Sequence, residues 1–184
     1  MRRLDTRLDG PILLAPDVFG DERGFFCETY RRSTFMALGI LEEMVQDNHS
    51  RSRRGVVRGM HVSIGRGAAK LVRCGRGAIH DVIVDVRRRS PTFGQWEGFD
   101  LTDENMHMLY VPVGFAHGFA VVSDVADVLY RQSAEWSAAA DRGFNPEDPP
   151  VGIDWPIPPG ERVLSERDRG APALADLEAQ VASW

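Results

Sequence analysis

The sequence predicts an all-β domain, folded as a sandwich or a closed barrel, and three observations favour this fold class. The 184 residues are close to the usual size of one domain, and the 43% that are hydrophobic can build one core. Short apolar runs recur along the chain, separated by Gly, Pro, Asp and Ser. Only two segments have a helical pattern. We therefore expect residues 1–184 to form a single domain of short strands with small peripheral helices.

The apolar runs give the predicted strands, and Ala78–Val86 is the clearest of them. Its side chains alternate between a mainly valine face and a face that carries Ile79, Asp81, Ile83 and Asp85. Two aspartates beside two isoleucines fit either an exposed face or the polar interior of a barrel. The predicted strands are Ile12–Val18, Gly24–Tyr30, Met44–Asn48, Gly55–His61, Lys70–Cys74, Ala78–Val86, Gly94–Leu101, Met108–Val111, Gly118–Val122 and Ala126–Gln132.

Two short helices are predicted at the periphery. One spans Ser33–Leu38, with Ser33 as its N-cap and Gly39 after its end. The other spans Ala173–Ser183, where two leucines and a valine recur at i, i+3 and i+7. The proline-rich segment Asn145–Pro159 is expected to be an ordered, non-helical crossing.

Charge and cysteine content argue against several classes of protein. The net charge of −5 disfavours broad nucleic-acid binding, which requires a basic surface. No apolar run reaches the roughly 18 residues that span a membrane, and no apolar stretch follows the charged residues Met1–Asp5. Cys27 and Cys74 match no metal or redox spacing. We therefore expect a cytoplasmic protein with two reduced thiols, no membrane span and no nucleic-acid partner.

Lysine is almost absent, because Lys70 is the single one among 22 Lys and Arg residues. An ammonium is a compact charge whose pKa shifts on burial, whereas a guanidinium stays charged. A lone lysine in a chain that otherwise uses arginine is therefore a candidate functional residue. Chance retention is an equal alternative when composition is considered alone.

Arg58 and His61 lie three positions apart in a predicted strand. Side chains at that spacing point to opposite faces of a flat strand, so the pair shares a face only if Gly59 marks a bulge or a strand end. His61 taken alone is more often a structural histidine than a catalytic one. Asp168 in the charged C-terminal turn is its natural partner, because a buried carboxylate orients a histidine and makes it a better base.

The turn and strand over Pro112–Phe119 contain a P-x-G-x-x-H pattern that resembles the second half of the cupin signature. In a metal-binding cupin, the first half would supply two histidines and a glutamate. Here the matching stretch is His61-Val62-Ser63, with Lys70 where a ligand would stand. Because a metal ion needs three or four convergent ligands, we expect a cupin-type jelly-roll β-barrel without a metal site.

Together these segments resemble the dTDP-4-dehydrorhamnose 3,5-epimerase family and its relatives in antibiotic-sugar pathways. The matching stretches run in family order over nearly the whole chain, and the ordered set is specific although no single stretch is decisive. They are Phe19–Glu28, Val45–Ser50, Gly55–His61, Lys70–Arg73, Asp81–Arg87, Ser90–Gly94, Pro112–Phe119 and Leu164–Asp168.

The resemblance implies an epimerase that acts on a dTDP-4-keto-6-deoxyhexose. A proton leaves the carbon beside the ketone, an enolate forms, and the carbon is reprotonated on the opposite face. His61, paired with Asp168, would be the base and Tyr130 the acid, while Lys70 would stabilise the enolate. Because neither a redox change nor cleavage of the carbon–carbon and carbon–oxygen skeleton occurs, no cofactor is expected.

The resemblance also implies a substrate-binding set and a homodimer with exchanged N-terminal strands. Trp136 stands where the family usually has a tyrosine that stacks on the thymine, and an indole can stack as well. Asp141 stands near a usual glutamate. The implied substrate-binding residues are Arg23, Phe26, Glu28, Gln46, Asn48, Arg58, His117, Trp136 and Asp141.

Departures from the family pattern leave alternatives open. Val62, Ser63 and Ser133–Ser137 differ from the usual rhamnose-enzyme sequence, and Gly65–Ala69 looks closer to the antibiotic-sugar relatives. Since relatives invert C3 and C5 or only one of them, a C3-only epimerase is the main alternative. A ketoisomerase, a metal-dependent cupin oxygenase and a non-catalytic sugar-nucleotide-binding cupin are the other hypotheses.

Overall fold

The computed structural model describes residues 1–177 and 180–181 of the chain, and strands dominate these ranges. The helices are α1 (Arg32–Ala37), α2 (Glu166–Arg169) and α3 (Leu174–Leu177), with a 3-10 turn at Pro159–Glu161. The strands are β1 (Arg2–Leu4), β2 (Ile12–Ala15), β3 (Val18–Asp21), β4 (Gly24–Cys27), β5 (Gln46–Arg53), β6 (Val57–Ser63), β7 (Lys70–Arg76), β8 (Ala78–Asp85), β9 (Trp96–Thr102), β10 (Met108–Val111), β11 (Phe115–Val121), β12 (Val125–Gln132) and β13 (Asp141–Gly143).

Two antiparallel sheets form the body of the fold. The six-stranded sheet has the order β1-β2-β10-β7-β12-β5, and the five-stranded sheet has the order β13-β6-β11-β8-β9. Strands β3 and β4 form a hairpin that pairs with neither sheet. The prediction of an all-β, cupin-type jelly-roll barrel with short peripheral helices is confirmed.

One apolar cluster joins the two sheets and defines the barrel interior. Val128 of β12 belongs to it together with Ile79 and Ile83 of β8. Because side chains alternate along a strand, Asp81 and Asp85 share this inward face, and both are fully buried. The two aspartates therefore belong to the polar part of a barrel interior, which decides between the two alternatives that the sequence left open.

Segments outside the sheets cover their outer faces. Phe35 of α1 and Ile40 after it pack against the six-stranded sheet. The C-terminal part of the chain covers the five-stranded sheet, and the indole N–H of buried Trp155 donates to the Pro146 carbonyl at 2.8 Å. The segment predicted to be non-helical, Asn145–Pro159, contains no helix up to residue 158, and a 3-10 turn begins at its last residue.

The prediction of Ser33 as a helix N-cap is wrong. Helix α1 begins one residue earlier, at Arg32, and Arg31 takes the N-cap position in extended conformation without a side-chain cap bond. The Phe35 N–H bonds to the Arg31 carbonyl, and burial of the Phe35 ring anchors this first turn. The predicted end is confirmed, because Gly39 has the positive φ of 91° that favours glycine after a helix.

Several other boundaries differ from the sequence-based prediction. The strand predicted over 12–18 is interrupted after Ala15, where Pro16 has no N–H to donate to a sheet. The helix predicted over 173–183 is described only as α3, and residues 178, 179, 182 and 183 lie outside the described residues. Strands β1 and β13 were not predicted, because three residues are too few to show alternation.

Candidate active site

A bulge in β6 directs both Arg58 and His61 into the barrel. Their partners on β11 face the interior, and the register with β11 shifts between the two positions, which leaves one extra residue on β6. Gly59 has a φ of 127°, and a Cβ at this position would approach the Gly118 Cα to 2.6 Å. The bulge that the sequence allowed at Gly59 is present, and it depends on close contact between two glycines.

His61 forms a hydrogen-bonded pair with Asp168. The His61 Nε2 atom lies 2.8 Å from Asp168 Oδ1, and Ser165 caps the short helix that carries this carboxylate. Burial raises the pKa of Asp168, but hydrogen bonds from His61 and Ser165 outweigh this effect, so that the pKa is lowered overall. Because the ionised carboxylate accepts the Nε2 proton, Nδ1 is left as the basic atom of the ring.

Lys70 lies at the start of β7, on the inward face that also carries Val72. Burial lowers the pKa of its ammonium to about 8, while the carboxylates of Asp141 and Asp81 oppose the shift. The single lysine of the chain therefore sits where its charge is poorly solvated and available to a ligand.

A second His–Asp pair lies deeper in the barrel. His117 Nε2 is 3.0 and 2.9 Å from the two Asp81 oxygens, and both side chains are buried. Burial lowers the pKa of His117; the Asp81 carboxylate opposes this effect, and the positive charge of Lys70 adds to it. A neutral imidazole is therefore fixed close to a cation.

Tyr130 lies on the inward face of β12, in the sheet opposite to the one that carries His61. Burial raises the pKa of its phenol, the charge of Arg58 lowers it, and the charge of Asp141 raises it. The pKa is raised overall from its ordinary value near 10, so the hydroxyl is protonated near neutral pH. Asp141 itself is held by an ion pair with Arg167 at 2.8 Å.

The inward residues of edge strand β5 connect the interior to an exposed aromatic ring. Gln46 Nε2 donates to Asn48 Oδ1 at 2.8 Å, and Gln46 Oε1 accepts the backbone N–H of Trp136 at 2.7 Å. The Trp136 side chain is 59% exposed. The structure therefore places this tryptophan on the surface, beside the polar side chains of β5.

Arg23, Phe26 and Glu28 are not brought to the barrel interior within one chain. They belong to the β3–β4 hairpin or follow it directly, and Phe26 is 69% exposed. Arg23 pairs with Asp21, and Glu28 pairs with Arg31. In the described part of the chain, the groove along this hairpin is lined by residues 19–26 alone.

The structure adds polar residues that the sequence-based analysis did not assign to the site. Ser52 accepts a hydrogen bond from Arg58 Nε at 3.0 Å, and Arg167 lines the same cavity as His61. Asp81 stood out in the sequence as an aspartate beside isoleucines on β8, but no local sequence pattern indicated that it would pair with His117. The alternation of side chains along β5 could have indicated Ser52. This alternation became informative only once the pairing with β12 showed which face of β5 turns inward.

Among the described residues, no three His, Cys, Asp or Glu side chains converge in a way that could hold a metal ion. In the same residues, no helix is long and apolar enough to cross a membrane. Both cysteines are unpaired.

The barrel carries a His–Asp pair, a partly buried lysine and a tyrosine on its interior faces. This combination defines the class, which is an enzyme that moves protons on a bound small molecule. The family follows from comparison with known proteins. The chain matches the model of the dTDP-4-dehydrorhamnose 3,5-epimerase family over residues 5–176 and belongs to that family.

Individual relatives cover nearly the whole chain. The dTDP-4-dehydrorhamnose 3,5-epimerase of Pseudomonas aeruginosa is 48% identical over 176 residues, which are 94% of this chain and 97% of the relative. The crystal structure of a dTDP-6-deoxy-D-glucose-3,5-epimerase from Legionella pneumophila, in complex with dTDP-4-keto-L-rhamnose, has a TM-score of 0.94 at 39% identity and covers 98% and 96% of the two chains. The dTDP-4-dehydrorhamnose 3-epimerase of Streptomyces niveus is 41% identical over 178 residues, 96% of this chain and 85% of that protein.

Proposed function

We propose that the chain inverts C3 and C5 of a dTDP-4-keto-6-deoxyhexose, the two carbons that flank the ketone. The observation that carries the proposal is the placement of a His–Asp pair and a tyrosine on opposite sheets of one barrel, with a partly buried lysine on the interior face. Inversion of a carbon centre requires a base on one face and a proton donor on the other, and two opposite walls supply this arrangement.

His61 acts as the base in this proposal. Its Nδ1 atom takes the proton from the sugar carbon, while Asp168, 2.8 Å from Nε2, holds the ring and stabilises the imidazolium that forms. Asp168 remains ionised because hydrogen bonds lower its pKa despite burial.

Lys70 stabilises the enolate oxygen. Its ammonium is already desolvated before the substrate arrives, so little reorganisation is needed when negative charge develops. A donor of this kind contributes about 3–4 kcal/mol to transition-state stabilisation. His117, fixed by Asp81, and Arg58, held by Ser52, complete the polar surroundings of the ketone.

Tyr130 returns a proton on the opposite face of the sugar. Its raised pKa keeps the phenol protonated, so it is available as the acid. The reaction changes neither the oxidation state nor the covalent skeleton of the sugar nucleotide, and the proposal involves no cofactor.

The nucleotide lies along β5 and extends toward the exposed Trp136 ring, which stacks on the thymine. Gln46 and Asn48 bind the phosphates, and Asp141 lies near the hexose. The hydrogen bond from the Trp136 backbone N–H to Gln46 supports this assignment, because it fixes the tryptophan beside the polar side chains of β5.

The substrate site is completed by a second copy of the chain. The β3–β4 hairpin exposes Phe19, Phe25 and Phe26, each more than 60% accessible, and β5 lies at the edge of its sheet. An exposed apolar hairpin and a sheet edge are complementary surfaces. Exchange of the hairpin brings Arg23, Phe26 and Glu28 of one subunit to the nucleotide of its partner. Light scattering should then give a mass near twice the 20.5 kDa of one chain; a monomer contradicts this arrangement.

A C3-only epimerase is the second candidate, supported by the 41% identity with the 3-epimerase of Streptomyces niveus. Both candidates use the same base, acid and lysine. The unpaired thiols fit a cytoplasmic site of action.

Proton NMR of dTDP-4-keto-6-deoxyglucose with the protein in deuterated water tests the proposal. Deuterium incorporation at C3 and C5, lost in His61→Ala, supports the 3,5-epimerase, and incorporation at C3 alone supports the second candidate. A folded protein that binds dTDP and exchanges neither proton refutes both. A product whose carbonyl has moved identifies a ketoisomerase instead.

A further inference from the structure

Strand β5 presents a row of four polar side chains to the barrel interior. Gln46, Asn48, Ser50 and Ser52 lie at alternate positions, and their partners on β12 face the interior cluster. An edge strand with four consecutive inward polar residues contributes little apolar packing. The row is therefore expected to serve a ligand or an internal hydrogen-bond network.

Both ends of the row have partners within the chain, whereas two polar atoms at its centre lack one among the described residues. Gln46 bonds to Asn48 and to the Trp136 backbone, and Ser52 accepts the Arg58 guanidinium at 3.0 Å. Among the described residues, neither Asn48 Nδ2 nor Ser50 Oγ has a hydrogen-bond partner, and both atoms are buried. Buried polar atoms without partners are rare in folded proteins because they reduce stability, so such a pair at an active site calls for a ligand.

We propose that the Ser50 hydroxyl is a further substrate-binding group, which donates a hydrogen bond to a phosphate oxygen of the sugar nucleotide. This inference rests on the proposed function for the identity of the ligand. The two free donors on β5 and the nearby Arg58 guanidinium favour an acceptor that carries negative charge. In the proposed pose, the pyrophosphate is the part of the ligand that combines several acceptor oxygens with charge.

The test compares Ser50→Ala with Ser52→Ala, a matched substitution on the same face of the same strand. Removal of the unpaired Ser50 hydroxyl should leave Tm unchanged or raise it, because a buried polar group without a partner disappears. It should also weaken dTDP binding about tenfold in calorimetry, while thymidine binding is unchanged. Ser52→Ala should lower Tm, because the Arg58 guanidinium loses its partner.

Ser50→Cys provides the control for volume, because a thiol has a similar size but is a weak donor, and it should bind dTDP as poorly as the alanine variant. Wild-type affinity for dTDP in Ser50→Ala, or a loss that extends equally to thymidine, overturns the proposal. A fall of Tm together with affinity also overturns it, because the hydroxyl would then have a structural role. Calorimetry needs no turnover, so a wild-type protein that binds dTDP without deuterium exchange refutes the proposed reaction and leaves the Ser50 result interpretable.

Discussion

The barrel interior has two sides of opposite character. On the side of β9 and β10, the apolar side chains of Phe99, Leu101 and Leu109 fill the space together with Phe115 at the start of β11. On the side of β5, β6 and β13, the same two sheets carry a row of polar side chains and the His61–Asp168 pair, and inward residues of β7, β8 and β11 add a lysine and the His117–Asp81 pair. Burial of apolar area stabilises the fold, whereas buried charges cost desolvation free energy that their partners only partly offset. Within the barrel interior, the stabilising apolar contacts therefore lie mainly on one side and the reactive groups on the other.

The largest effect is expected from a substitution that affects the polar side of the interior alone. Asp168→Asn should reduce the rate of deuterium exchange by about 10³–10⁴-fold, because an amide can donate to Nε2 and favour the wrong tautomer of His61. Single-turnover NMR measures the loss. Asp85→Asn is the matched control, since Asp85 is equally buried but bonds Arg87, Ser90 and Thr92 away from the pair. It should lower Tm and leave the exchange rate near that of the wild type. Equal losses of exchange rate in both variants would contradict the separation of a reactive side from an apolar side.

The opposite experiment removes packing from the apolar side. Leu109→Ala should lower the free energy of unfolding by about 2–5 kcal/mol, because Leu109 is fully buried and its truncation leaves a cavity. Urea denaturation measures this change, and kcat at a temperature where the variant is folded should remain unchanged. Leu109→Met, which conserves volume, should cost less than about 1.5 kcal/mol. A large loss of kcat in folded Leu109→Ala would show that the two sides are mechanically coupled.

The pH dependence of activity tests the charge of Lys70. Burial lowers its pKa to about 8, so the ammonium loses its proton as pH rises through that value, well below the usual 10.5. On the alkaline side, activity should therefore decline as pH rises through about 8 and approach a tenfold loss per pH unit beyond it. In Lys70→Arg the guanidinium stays charged, and this alkaline decline should disappear from whatever activity remains. An unchanged decline in that variant assigns the titration to another group.

The smallest effect concerns the rim of the polar side. Trp136→Ala should weaken dTDP binding about three- to tenfold through loss of stacking, with little change in Tm because the ring is 59% exposed. Calorimetry measures the affinity, and Trp136→Phe should recover most of it. Unaltered binding in the alanine variant would place the thymine elsewhere.

Much of the fold could be predicted because period-two alternation is a local signal. Most predicted strands have counterparts in the sheets, and β10 matches its predicted boundaries. The inward direction of the two aspartates on β8 could not be derived locally, because it depends on the sheet that faces them. The His61–Asp168 contact spans 107 positions, so its prediction required pairing by chemistry or by family resemblance.

Other features could not be predicted from local sequence patterns. The pairing of Asp141 with Arg167 joins two segments that no periodicity links. The exposed position of Trp136 could not be derived from local sequence, because a large apolar ring usually packs in a core. Ser33 was misjudged because capping propensity competes with burial of Phe35, which set the start of α1.

The bulge at Gly59 has a consequence for redesign of this barrel. A regular strand offers inward positions only at even intervals, yet the guanidinium at 58 and the imidazole at 61 both face the ligand space. Computational idealisation of the backbone, which removes such irregularities to gain stability, would turn one of these groups outward. A redesigned scaffold could therefore keep every side chain of the site, gain thermal tolerance and lose its chemistry.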